Sequence, residues 1–132
     1  MNLKKFLLHG VIAGILSSVA CLLYMRVYQK TFETDFSKVM NAATITSANI
    51  FACLLIAIGY ALVFKLKTSL LGWLNIIIVV VTFASILTPI GYTLPLDVQD
   101  PEMFPGLAVP MHFFPALAFF TLAPFFRYGK KE

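Results

Sequence analysis

The chain has 132 residues, of which 60% are hydrophobic and only 12% are charged, about half the charged share of an ordinary soluble domain. A soluble fold of this length cannot bury so much apolar side chain, so we expect lipid to surround most of the chain. The net charge of +4 does not indicate nucleic-acid binding, because no basic stripe is interleaved with base-stacking residues.

Four stretches of the chain lack Asp, Glu, Lys and Arg: 6–25, 39–64, 68–96 and 103–126. Each can cross a bilayer once and none can cross it twice, because a span needs about 20 predominantly apolar residues. We therefore predict a single domain of the all-α class, an integral membrane four-helix bundle. Its predicted helices are 6–25, 43–64, 70–90 and 109–126.

The first predicted helix follows Lys4 and Lys5, an arrangement that also begins signal peptides. We expect the helix to be retained, because the apolar run continues past the only sequence that resembles a cleavage site. Small residues recur on one side of it, and such residues mark close packing in lipid: Gly10, Gly14, Ser17, Ser18 and Cys21. This side fits a dimer seam or a packing face within the chain, and we favour the second.

The second and third predicted helices each carry small and polar residues at helical spacing, on one side. The first set is Thr46, Asn49, Cys53, Ala57 and Tyr60, and the second is Gly72, Asn75, Val79, Thr82, Ile86 and Pro89. The turn between them is short, so we expect antiparallel neighbours whose polar stripes face each other. An amide such as Asn49 is more typical of an interhelical hydrogen bond than of a ligand site.

Residues 26–43 predict either a continuation of the first helix beyond the membrane or a short helix on its surface. Residues 93–107 predict a stiff, non-helical, proline-rich extracytoplasmic loop between helices three and four. Within this loop, Asp100 is the expected cap of a short helical turn that starts at Pro101. In the fourth helix, Pro115 should loosen the backbone and free carbonyls for other donors.

The basic residues predict the orientation of the bundle. Seven of the ten lie at the N-terminus, in the turn 65–67 and at the C-terminus, and three lie in the first connection. The positive-inside rule then puts both termini in the cytoplasm and the proline-rich loop outside. We expect an integral protein of a bacterial inner membrane, surrounded by the lipid bilayer. The expected protein partner is either another membrane protein or a second copy of the chain.

The candidate ligand-binding site is an outward-facing pocket with these polar residues: Asn49, Thr46, Thr82, Ser85, Tyr92, Asp97, His112 and Arg26. Polar groups that converge in an apolar cavity are typical of a small-molecule or lipid site. The alternative, which we favour from sequence alone, is that these groups satisfy one another and hold the helices in register.

Three classes of function remain open. The first is a non-enzymatic module that binds a lipid, a small ligand or a larger membrane complex through its outer side. The second is a small transporter or channel, which needs either oligomerisation or a helix broken at Pro89 or Pro115 to create a path. The third is a membrane enzyme with His112 as base and Asp97 as its orienting acid. We expect no cofactor and no metal, because His9 and His112 are placed near opposite membrane surfaces.

Overall fold

The computed structural model describes residues 2–126 and 128, and all of its regular elements are helical. The α-helices are α1 (Leu3–Phe32), α2 (Ala42–Leu66), α3 (Leu71–Ser85), α4 (Leu87–Gly91), α5 (Phe104–Met111) and α6 (Phe114–Phe126). Short 3₁₀ turns lie at Thr68–Leu70 and Pro101–Met103. The elements form four segments that are each long and apolar enough to span a membrane: Leu3–Phe32, Ala42–Leu66, Thr68–Gly91 and Pro101–Phe126. The all-α class and the four apolar helical segments are thus confirmed.

The closest helix pair is α1 with α2, because α1 has glycines where the two backbones meet. A Cβ atom added to Gly14 would lie 2.7 Å from the Ile50 Cα, and one added to Gly10 would lie 2.9 Å from the Ala57 Cβ. Ser17 continues the same buried side of α1. The small-residue side of α1 is therefore a packing face within the chain.

The expected meeting of the two polar stripes is mostly wrong. Near the turn between α2 and α3, the Tyr60 hydroxyl donates to Asn75 Oδ1 at 2.6 Å. Further along α2, however, Asn49 and Cys53 face α1 and the fourth segment, and Cys53 Sγ donates to the Pro115 carbonyl at 3.5 Å. The side of α2 that carries small residues packs against the glycines of α1, and α3 therefore lies at the edge of the bundle.

The first helix continues past its predicted end, so the connection 26–43 is in its first part a helical extension. α1 ends at Phe32 and is capped by Glu33, whose φ of 53° is left-handed, while the Thr34 N–H donates to the Gln29 carbonyl at 3.1 Å. A helix of 30 residues is about 45 Å long, against about 30 Å for a hydrocarbon core. Its last turns therefore reach the loops beyond.

We call this side of the bundle the loop end, because it carries residues 33–41 and 92–103; the opposite side, with the turn 67–70, is the turn end. The proline-rich loop is more helical than predicted, since Pro101–Met103 and α5 occupy its second half. Proline fits there because the first turn of a helix has no use for its missing N–H. The Asp100 side chain makes no capping bond, so its predicted capping role is wrong.

Two of the four segments are broken, and each break lies just before a proline. Pro89 has no N–H for the Ser85 carbonyl, and the chain breaks between α3 and α4. Pro115 has none for the Met111 carbonyl, and the chain breaks between α5 and α6. The third and fourth helices are therefore not continuous as predicted, whereas the loosening expected at Pro115 is confirmed.

Candidate functional site

A cleft of about 580 Å³ separates α3 from α2 and from the junction of α5 with α6. This volume is within the range of small-molecule sites, about 300–1,000 Å³. Most of its lining is aliphatic, and the polar side chains in it are Thr44, Asn49, Thr82, Ser85 and His112. Four residues of the sequence-based candidate site, Asn49, Thr82, Ser85 and His112, thus meet in one cleft; Thr44 was missed.

The polar side chains lie in the half of the cleft near the loop end. Gly59 on α2 faces Leu74 on α3, where an added Cβ would lie 3.4 Å from the leucine Cδ1. Because these helices are antiparallel, Ser85 on α3 is level with the residues around 48 on α2. Toward the turn end the cleft continues to Gly59 and Leu74 with an apolar lining, about 15 Å further along the helix.

Each polar side chain contributed by α3 bonds its own helix. The Thr82 hydroxyl donates to the Ile78 carbonyl at 2.7 Å. The Ser85 hydroxyl donates to the Thr82 carbonyl, also at 2.7 Å. The Ser85 carbonyl, which loses its partner at Pro89, accepts from the Thr88 hydroxyl. The break in this segment is thereby satisfied by the chain itself.

His112 lies at the second break, and the break determines its orientation. The backbone N–H of His112 turns to the Val109 carbonyl at 3.1 Å, which leaves the Ala108 carbonyl without its usual helical donor. The Nδ1 atom of His112 lies 2.8 Å from that carbonyl oxygen. A carbonyl only accepts, so Nδ1 carries the proton and donates it.

Asn49 lines the cleft, but its side chain is used to hold α2 against α1. Its Nδ2 donates to the Ile45 carbonyl at 2.8 Å and lies 3.5 Å from Cys21 Sγ, while its Oδ1 accepts from the Ser17 hydroxyl. Only 5% of the residue is exposed. The geometry is that of an interhelical hydrogen bond.

The other four candidate residues do not line the cleft. Thr46 is half-buried on α2, and Arg26 is exposed on the extension of α1. Tyr92 is exposed directly after α4, just before the proline-rich loop. Asp97, within that loop, forms a salt bridge of 2.7 Å with Lys38 of the first connection.

The acid–base pair that the enzyme hypothesis requires is not formed. Asp97 is engaged with Lys38, and the Nδ1 atom of His112 is engaged with the Ala108 carbonyl. The Ala108 carbonyl, which the helix break exposes, accepts from the Nδ1 atom of His112, so this nitrogen is not available to an orienting acid. Among residues 2–126 and 128, no three His, Cys, Asp or Glu side chains gather closely enough to hold a metal ion.

The Lys38–Asp97 bridge joins the two connections of the loop end, and its effect on pH dependence can be tested. The hydrogen bond from Lys38 holds the pKa of the Asp97 carboxyl below its ordinary value of 3.8, and the same bond raises the pKa of Lys38 above 10.5. The stabilisation from the carboxyl is therefore present above pH 3.8 and lost as the pH falls through its folded-state pKa. That from the amine is present below pH 10.5 and lost as the pH rises through its folded-state pKa.

In the Lys38→Gln variant we expect the pKa of Asp97 to rise toward its ordinary value, measured by NMR titration of the carboxyl carbon. Thermal stability should change little, because both side chains are about two-thirds exposed and such pairs are weak. Lys30→Gln, a change on the α1 extension, is the matched control. An Asp97 pKa that does not respond to Lys38→Gln would mean that the bridge is absent in solution.

A small hydrophobic core under the loop end was also missed by the sequence analysis. Phe36 is completely buried and packs edge-on against Phe104 at a centroid distance of 5.4 Å. The Tyr24 hydroxyl donates to the Gly106 carbonyl at 2.8 Å, which is free because Pro110 has no N–H. The C-terminal part of α1 and the connection after it thus fix α5, and with it the wall of the cleft that includes His112.

Comparisons of the chain with protein-family models, with curated proteins and with solved structures found no match. The assignment of function therefore depends on the geometry of the cleft.

Proposed function

We propose that the chain is an integral membrane protein that binds a lipid or another small apolar molecule in the cleft, without chemical change to it. The observation that carries this proposal is the cleft itself: about 580 Å³, aliphatic along most of its length, with polar groups only in the half near the loop end. An elongated molecule with an apolar body and a polar head fits that distribution. The four apolar segments support insertion in a membrane.

The orientation of the bundle is part of the same proposal. The excess of basic residues at the turn end and at the termini, seven against three, favours a cytoplasmic location for both termini in a bacterial inner membrane. Three of the seven, Arg127, Lys130 and Lys131, lie outside the described residues and are used by sequence position only. The polar half of the cleft then lies in the outer leaflet.

The loose packing of α3 supports entry of the ligand from the side. Within α3, all of whose residues are described, Ile78 alone is buried. A second space of about 570 Å³ lies on the other side of α3, between Tyr60, Asn75 and Phe120. A helix with space on both sides can move without breaking a packed core, which is what a lipid-facing entrance requires.

A small transporter is the second candidate, because two segments are broken beside the cleft. Broken helices in transporters present unpaired backbone groups to the substrate. Here the Ser85 carbonyl accepts from Thr88, and the Met111 carbonyl lies 3.8 Å from the Cys21 thiol that donates to it. The two helix breaks therefore leave few unpaired backbone groups for a substrate. Binding without transport is the function that the geometry supports better.

The test is to fill the cleft and look for loss of the bound molecule. Ala52 lines the cleft, so we expect Ala52→Phe to remove a molecule that co-purifies with the unaltered protein after gentle extraction, as measured by native mass spectrometry. Ala84→Phe is the matched control, because Ala84 is exposed on α3 and does not line the cleft. Retention of the same molecule by both variants would contradict binding in the cleft.

A further inference from the structure

We infer that the ligand of the cleft is an amphiphile whose head donates hydrogen bonds, that is, a molecule with a hydroxyl group on a long apolar body. This inference rests on the proposed binding function and goes beyond it, because it specifies the chemistry of the head group. It follows from the hydrogen bonds that the cleft side chains already make within the chain, and from the donors and acceptors that remain free for a ligand.

The hydroxyl hydrogens in the cleft are used within the chain. Thr82 and Ser85 donate to carbonyls of their own helix at 2.7 Å each. Thr44 donates to the Asn41 carbonyl at 2.9 Å. Since a carbonyl oxygen has no hydrogen to give, the direction of these bonds is fixed. Each hydroxyl oxygen retains acceptor capacity after it has donated.

His112 also presents a hydrogen-bond acceptor to the cleft. Its Nδ1 hydrogen is given to the Ala108 carbonyl, so in the neutral ring Nε2 has no hydrogen and only accepts. No described residue forms a hydrogen bond with Nε2, and the side chain lines the cleft. The next residue, Phe113, packs against Phe83 of α3 at a centroid distance of 5.2 Å, which puts His112 near the polar part of α3. The helix break before Pro115 is the cause, because it frees the carbonyl that fixes this tautomer.

The side-chain amide of Asn49 and the first two backbone N–H groups of the break are also occupied. The Asn49 amide hydrogens point to the Ile45 carbonyl and to Cys21 Sγ. The backbone N–H groups of His112 and Phe113, exposed by the break, bond the Val109 and Pro110 carbonyls at 3.1 Å each. The polar half of the cleft therefore offers acceptors and no free side-chain donor.

Such a lining discriminates between head groups. A ketone, ester or ether oxygen would meet side-chain lone pairs without a hydrogen between them, and no side-chain donor would replace its bonds to water. A hydroxyl group supplies the missing hydrogen to Thr82, Ser85 or His112. The apolar part of the cleft, which extends to Leu74, then accommodates the chain of the molecule.

The experiment compares two photoreactive probes on the full-length protein in lipid nanodiscs. One is a long-chain primary alcohol and the other is its methyl ether, with the same photoreactive group at the same carbon. Labelled peptides that line the cleft are quantified by mass spectrometry. We expect the alcohol to label them about two- to tenfold more strongly, which is the ratio that one net hydrogen bond provides.

Thr82→Val removes an acceptor at nearly constant volume, so it should reduce the preference for the alcohol. Thr46→Val makes the same change on α2 outside the cleft and should preserve it. Ser85→Ala provides an independent second variant, and thermal unfolding verifies that each is folded. Competition by diacylglycerol or by a single-chain alcohol shows whether the hydroxyl belongs to a two-chain lipid or to a smaller molecule.

Equal labelling of the cleft by alcohol and ether would overturn the inference and leave the binding function intact. Absence of labelling in the cleft by either probe, together with no molecule lost in Ala52→Phe, would instead contradict the binding function. A preference for the alcohol that persists unchanged in both Thr82→Val and Ser85→Ala would also overturn the assignment of these acceptors.

Discussion

Replacement of Gly14 by alanine is expected to destabilise the bundle by about 1–3 kcal/mol, the usual cost of overpacking a filled core. The new methyl group would lie 2.7 Å from the Ile50 Cα and 3.0 Å from the Ile50 Cγ1. Because the nearest atom belongs to the backbone of α2, no side-chain rotation relieves the contact and the helices have to separate. In detergent, a thiol-reactive dye would report this as earlier exposure of the two buried cysteines, Cys21 and Cys53.

Gly72→Ala is the matched control for this effect. Gly72 is also helical, but a Cβ added to it meets no atom within 4 Å. The control should retain its unfolding temperature or gain slightly, since alanine favours helix over glycine. Equal unfolding temperatures for Gly14→Ala and Gly72→Ala would contradict the close contact between α1 and α2.

His9→Ala is expected to destabilise the protein by about 2–4 kcal/mol, because it combines a cavity with lost hydrogen bonds. His9 is completely buried at the turn end. Its Nε2 lies 2.9 Å from the Phe119 carbonyl, its Nδ1 bonds the Tyr128 hydroxyl, and its ring stacks on Phe119 and Phe126 at centroid distances of 3.9 and 4.4 Å. The measurement is the unfolding temperature in detergent.

The second histidine of the chain supplies the comparison. His112 is half-buried and its hydrogen bond stays within its own helical turn, so His112→Ala should lower the unfolding temperature much less. His9→Phe, which keeps the stacked ring and removes both nitrogens, should fall between the two. If His9→Ala and His112→Ala unfold at the same temperature, the buried bridge between α1 and α6 does not contribute as described.

The general architecture was predictable because charge and length decide it. Four uncharged runs of suitable length leave little choice in the number of apolar helices, and the small residues of α1 correctly marked a packing face. Boundaries were less predictable. Nothing in the charge pattern stops α1 at residue 25, since Arg26 and Lys30 are good helix formers and the helix continues to Phe32.

The error about the facing stripes has a physical cause. Periodicity shows that Asn49 and Cys53 lie on one side of α2, but it does not show which neighbour meets that side. Gly10 and Gly14 determine that this side of α2 packs against α1, because they let the two backbones approach closely. The β-branched residues of α3 do not allow so close an approach. The cleft beside α3 is the consequence of that choice.

The candidate site could be predicted in part. Thr82, Ser85 and His112 were identifiable because polar residues in apolar segments are few. The bonds that turn them into acceptors were not, because they arise at the helix breaks before Pro89 and Pro115 and depend on local backbone geometry. Asp97 and Tyr92 are polar residues of the same end, but Asp97 bonds Lys38, Tyr92 is exposed, and neither lines the cleft.

Native mass spectrometry of the unaltered protein beside Ala52→Phe and Ala84→Phe tests the central claim most directly. We expect one amphiphile per chain in the unaltered protein and in Ala84→Phe, and its loss in Ala52→Phe, because the phenyl ring would occupy the cleft. A protein that carries no bound molecule in any of the three forms, or the same molecule in all of them, would contradict a ligand site between α2, α3 and the junction of α5 with α6.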